Sequence, residues 1–166
     1  MRPLQALSVG VLCLLAACSG SSDPKALTDQ GAAALTSGDA RAAAQHFEDA
    51  LKHMDAKHPD FLRASMGRCQ ALARQDAKRA KTDFLALAKT HSNRVREPDF
   101  GLIVGELVKK GALAEATEVV TAGMTMFPES PKMAELRDKV GDAAKASSDP
   151  DSMKALKGLG YAGGDE

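Results

Sequence analysis

The chain has no tryptophan, one tyrosine and five phenylalanines among its 166 residues. Any core must therefore be built from aliphatic side chains and close backbone approaches. β-Branched residues gather only around Ile103-Val104, Val108 and Val119-Val120-Thr121, which leaves little material for a sheet. Charge of one sign is also lacking: 22 basic residues stand against 22 acidic ones. No basic excess points to nucleic acid, and no acidic excess points to a solvating tail. Long apolar runs are missing, because Leu4 to Ala17 covers 14 residues where a spanning helix needs about 20. Histidines are few, at 46, 53, 58 and 91. His46 and His53 are seven apart, whereas helical metal pairs usually stand four apart, and no cysteine or acidic cluster completes a set. Gly158-x-Gly160-x-x-Gly163 has neither a strand before it nor a helix after it, so it is not read as a dinucleotide loop. No catalytic residue, metal ligand or cofactor is expected.

Three cysteines remain to be placed: Cys13, Cys18 and Cys69. The first two lie in a segment with a cationic start at Arg2, an apolar run from Leu4 to Leu14, then Leu15-Ala16-Ala17-Cys18 and a polar Ser-Gly-Ser-Ser. That order is the pattern of a signal peptide. Cys69 is then alone, which excludes an intramolecular disulfide. It reads as a small apolar core residue.

Leu15-Ala16-Ala17-Cys18 resembles the lipobox of bacterial lipoproteins. The resemblance implies cleavage between Ala17 and Cys18, acylation of Cys18 and a membrane tether outside the cytoplasm. Ser19 replaces the aspartate that usually retains such proteins at the inner membrane, so the periplasmic face of the outer membrane is favoured. Cleavage by an ordinary signal peptidase is the alternative, since Ala-x-Ala-like sites serve it too. The expected organisation is a signal at 1–17, a lipidated linker at 18–25, a helical domain at 26–147 and a flexible tail at 148–166.

Within the helical domain the sequence repeats. Small residues recur at Ala43, Ala80 and Ala116, larger ones four later at Phe47, Phe84 and Val120, and further core positions at Ala50, Leu87 and Gly123. Successive equivalents are 37 and 36 residues apart, a period that marks stacked helix hairpins. Gly38 and Gly111 suit two of the turns, Asp39 and Asp76 suit N-caps, and Pro128 suits a helix end. This pattern resembles the tetratricopeptide repeat (TPR) family over about Lys25 to Ser130. The resemblance implies an all-α, TPR-like solenoid of about three hairpins. Pro131 to Lys145 carries Met133, Leu136, Val140 and Ala144 at helical spacing and is expected to cap it. Repeat two departs from the pattern, with Gln75 at its turn. Its first helix fits two registers, and the one burying Leu62, Met66 and Cys69 is preferred over Ala64, Gly67 and Ala71.

Such arrays bind along the surface lined by first helices. The exposed positions expected there are Thr28, Ala32, Thr36, Gly101, Gly105 and Lys109. They are small and mostly uncharged, which suits an apolar partner segment. The basic series Arg63, Arg68, Arg74, Lys78, Arg79 and Lys81 reads as a solvated helical face or as a patch toward anionic lipid. Near the C-terminus, Leu156, Leu159 and Tyr161 belong to a Leu-x-x-Leu-Gly-Tyr-x-Gly-Gly pattern. It resembles tails of some exported bacterial sulfatases and repeat proteins, which implies a docking tail. The expected function is a non-enzymatic, membrane-anchored interaction scaffold or assembly factor in the bacterial envelope. Its partner would be an unidentified envelope protein. An accessory subunit engaging an exported enzyme through the tail is the alternative.

Overall fold

The computed structural model describes residues 23–147 and, beyond them, Pro150, Lys154, Lys157 and Gly160. The cleavage pair Ala17 and Cys18, and the tail residues Leu156, Leu159 and Tyr161, lie outside the described residues. Among the described residues the chain is all helical: α1 (Pro24–Ser37), α2 (Ala40–Lys52), α3 (Phe61–Ala73), α4 (Ala77–Thr90), α5 (Glu97–Lys110), α6 (Leu113–Met126) and α7 (Pro131–Ser147). None of these helices is long and apolar enough to cross a membrane. α1 begins before the expected linker ends, because Asp23 accepts hydrogen bonds from the backbone of Lys25 and Ala26, and Pro24 needs no donor at its first position.

The caps are local chemistry. Asp39 accepts from the Ala42 N–H at 2.9 Å and Asp76 from the Arg79 N–H at 3.0 Å, satisfying donors that a helix start leaves open. Gly38 and Gly111 adopt φ of +90° and +77°, the left-handed turn glycine tolerates best. The α3–α4 turn needs no glycine, because the Gln75 and Asp76 amides both return to the Leu72 carbonyl. The Gln75 side chain instead donates to the Ala40 carbonyl at 2.8 Å, tying this turn to the start of α2.

Short turns make consecutive helices into hairpins. α3 touches α1 and α5, and α5 touches α7, so the odd-numbered helices form one row. α4 and α6 touch in a second row, and α2 packs on α1 and α3. All the repeated positions are buried: Ala43, Ala80 and Ala116, then Phe47, Phe84 and Val120, then Ala50, Leu87 and Gly123. So are Met133, Leu136, Val140 and Ala144 of α7.

The preferred register for α3 needs correction. Leu62 is only half-buried, whereas Ala64, Gly67 and Ala71 are buried together with Met66 and Cys69. A central helix covered by α1, α2, α4 and α5 has no single apolar stripe. Its small face is the one pressed against Phe47: a Cβ on Gly67 would collide with that ring, and one on Gly31 would come within 2.8 Å of it.

Candidate functional site

A groove of about 530 Å³ runs across the row of odd helices. α1 contributes Ala32, Leu35 and Thr36, and α3 contributes Leu62, Arg63, Met66, Gly67 and Gln70. The α3 set recurs at steps of three and four residues, which is one helical face. Asp99 and Leu102 come from α5, Arg94 and Arg96 from the loop before it, Pro59 from the loop before α3, and the edge of Phe47 closes the bottom. Leu102 is 50% exposed, the large apolar side chain most open to solvent among the described residues.

Of the residues expected on this surface, Ala32 and Thr36 line the groove. Thr28 does not, and this is a correction: it is fully buried, and its hydroxyl donates to the Pro24 carbonyl at 2.8 Å. A threonine can hide its hydroxyl on the carbonyl four residues back, so its polarity did not place it outside. Gly101, Gly105 and Lys109 are half-buried or exposed but stand outside the groove lining. The expected small, uncharged character is also corrected. The lining joins apolar Leu35, Leu62, Met66 and Leu102 with three guanidinium groups and one carboxylate.

These charges are unequally satisfied. Arg63 pairs with Asp29 at 2.7 Å. Lys25 first, and Arg63 second, hold the Asp29 carboxyl below the usual carboxylate range. Arg94 donates to the Ala56 carbonyl at 3.1 Å, so it has its hydrogen bond but keeps its charge. The Asp99 carboxylate accepts from the Arg96 backbone N–H at 2.8 Å. No hydrogen bond or ion pair engages the Arg96 guanidinium among the described residues.

Most of the basic series is engaged in ion pairs. Four of its members pair between hairpins, Arg63 with Asp29, Arg74 with Glu106, Arg79 with Glu48 and Lys81 with Glu118, and Arg68 pairs with Asp83 within the α3–α4 hairpin. Arg74 is the best connected, reaching the Glu106 carboxylate at 2.9 Å and the Leu35 carbonyl at 3.0 Å. It thus joins α1, α3 and α5, and its guanidinium is the main reason the Glu106 carboxyl titrates below its ordinary value. Four of these pairs span 31 to 37 residues, close to one repeat. Opposite charges one period apart were the signal that sequence reasoning missed.

A second cavity of about 210 Å³ lies between α3 and α4, lined by Ser65, Arg68, Cys69, Asp83 and His91 among others. Burial pushes the Cys69 thiol up to about 12, so it stays protonated at neutral pH and is a poor nucleophile. His91 packs its ring on Phe61 at 5.3 Å, and His58 accepts from the Asp60 N–H at 3.2 Å. Among the described residues no three His, Cys, Asp or Glu side chains gather as a metal site would need. Comparison with family models, with curated proteins and with solved structures gave no match.

Proposed function

We propose that the chain is a TPR-like helical array, tethered through Cys18 to the bacterial envelope, that serves as a non-enzymatic interaction scaffold or assembly factor. The outer membrane's periplasmic face is its favoured address. The partner segment would lie in the groove across α1, α3 and α5. The observation that carries this reading is the groove's composition: Leu62, Met66 and Leu102 provide apolar contact, and Arg94 and Arg96 offer donors at its edge. Support for a TPR-like array comes from the burial of nine equivalent positions at a spacing of 36 or 37 residues. Ion pairs between neighbouring hairpins support it too. An apolar strip with flanking donors suits a helical or extended peptide segment.

The test is crosslinking in intact cells followed by pull-down, with Leu102→Asp and Cys18→Ser as the two variants. Leu102→Asp should fold, because the side chain is half exposed, yet lose the captured partner. Cys18→Ser should lose acyl labelling and leave the membrane fraction. A partner captured equally well by Leu102→Asp would remove the groove from the account. A Cys18→Ser protein that stays membrane-bound would remove the lipid tether.

A further inference from the structure

We propose that the resting occupant of the α1–α3–α5 groove is the chain's own segment 149–166, which competes with any external partner. The proposal rests on the groove being a binding site, and adds what fills it when no partner is present.

Charge is the first argument. The chain as a whole is neutral. The groove lining is not, since Arg63, Arg94 and Arg96 outnumber Asp99. Segment 149–166 has the opposite excess: Asp149, Asp151, Asp165 and Glu166 against Lys154 and Lys157. Its last stretch, from Gly160 on, carries acids only. Asp165 and Glu166 therefore match Arg94 and Arg96, which have no carboxylate partner of their own among the described residues. Apolar content is the second argument. Met153, Leu156, Leu159 and Tyr161 recur through the segment, and Leu62 and Leu102, beside the buried Met66, are apolar surface the groove leaves open to receive such side chains.

Reach is the third argument. α7 packs on α5, and its Ala144 shares a small apolar cluster with Leu113 and Val108. Ser147 thus lies beside the C-terminal end of α5. From there Leu102 is about 12 Å back along α5 at 1.5 Å per residue, and one helix spacing of about 10 Å to the side. Pro150, Lys154 and Lys157 are helical and exposed. Even at only the 1.5 Å rise of a helix from 150 to 157, a chain from Ser147 to Tyr161 can cover about 30 Å. Tethering at this range gives an effective concentration of order millimolar, so even a weak contact would be largely closed.

The test uses a fluorescent peptide of residues 149–166 and measures its polarisation with the full mature chain and with the chain truncated after Ser147. Truncation leaves all seven described helices and their buried residues in place. The peptide should bind the truncated chain, and bind the full chain at least tenfold more weakly because the tethered copy competes. Arg96→Glu in the truncated chain should weaken it severalfold, and a peptide carrying Asp165→Lys and Glu166→Lys should restore binding to that variant. No binding to the truncated chain, or equal binding to both chains, overturns the proposal. So does binding that ignores Leu102→Asp, or a full chain that dimerises where the truncated one does not, which would assign the groove to a second copy. Should the peptide fail while Leu102→Asp still loses its partner in cells, only self-occupancy falls. Failure of both removes the groove as well.

Discussion

Phe47 and Phe100 are both buried, yet the chain accommodates them in opposite ways. Around Phe47 the neighbours are stripped down: Gly31 and Gly67 leave no side chain in its path, and Ala43, Ala50, Ala64 and Ala71 complete the cluster. Around Phe100 one glycine, Gly123, also presses on the ring, but large side chains fill the rest of the space. Phe84 and Phe127 meet it edge-on at 4.9 and 5.8 Å, and Ile103, Val119, Val120 and Met133 close the cluster. Thirty-six residues beyond Gly67 the chain places Ile103. Positions one such step apart thus carry no side chain in one hairpin and a large one in another. Removing side chains brings α1, α2 and α3 close but leaves a trough above the Phe47 ring. Adding them makes a thicker core that α7 covers. The floor of the groove lies over the stripped half.

The sharpest way to break this comparison is Phe100→Ala. It should cost about 3–5 kcal/mol in urea unfolding, because rigid aromatic and branched neighbours cannot collapse into the hole. A cost below that of Phe47→Ala would mean the filled half is not the stability anchor. Next comes Gly67→Ala, which pushes a methyl into the Phe47 ring and should cost about 1–3 kcal/mol. Combining it with Phe47→Leu should recover part of that loss, and purely additive losses would show that no such contact exists.

A smaller effect should appear in acid. The Glu106 carboxyl is held low mainly by Arg74, so its folded pKa lies below its unfolded one. Stability from this pair is therefore present above the usual glutamate value of about 4.3 and is lost as pH falls through the lower folded value. Glu106→Gln should flatten that part of the stability–pH curve, at a cost of about 1 kcal/mol at neutral pH. An unchanged acid limb would remove the Arg74 tie as a link between hairpins. Smallest is Gly105→Ala. A Cβ there meets nothing within 4 Å, so the variant should gain about 0.5–1 kcal/mol from helix propensity alone. A loss instead would mean that this face of α5 is covered.

The all-helical fold and the buried positions spaced 36 or 37 residues apart were legible in the sequence because they depend on local spacing. Ala43, Ala80 and Ala116 must be small where helices touch, and Met133, Leu136, Val140 and Ala144 announce a one-sided helix. The groove was less legible, for three physical reasons. Arg94 and Arg96 reach it from a loop, which has no periodicity. α3 is covered on several sides, so half-buried Leu62 and buried Ala64, Met66, Gly67 and Ala71 do not sort into one apolar stripe. Thr28 hides its hydroxyl on its own helix and reads as exposed when it is not.

The most direct measurement is a photocrosslinker placed in turn at Thr36 and Leu102 on the groove, and at Arg41 and Gln45, exposed on α2, in cells carrying the full chain. Adducts from both groove positions, to segment 149–166 at rest and to one recurring envelope protein when that partner is abundant, are expected, with none from α2. Adducts from α2 alone, or equal adducts from all four sites, would contradict a scaffold that works through its stripped half.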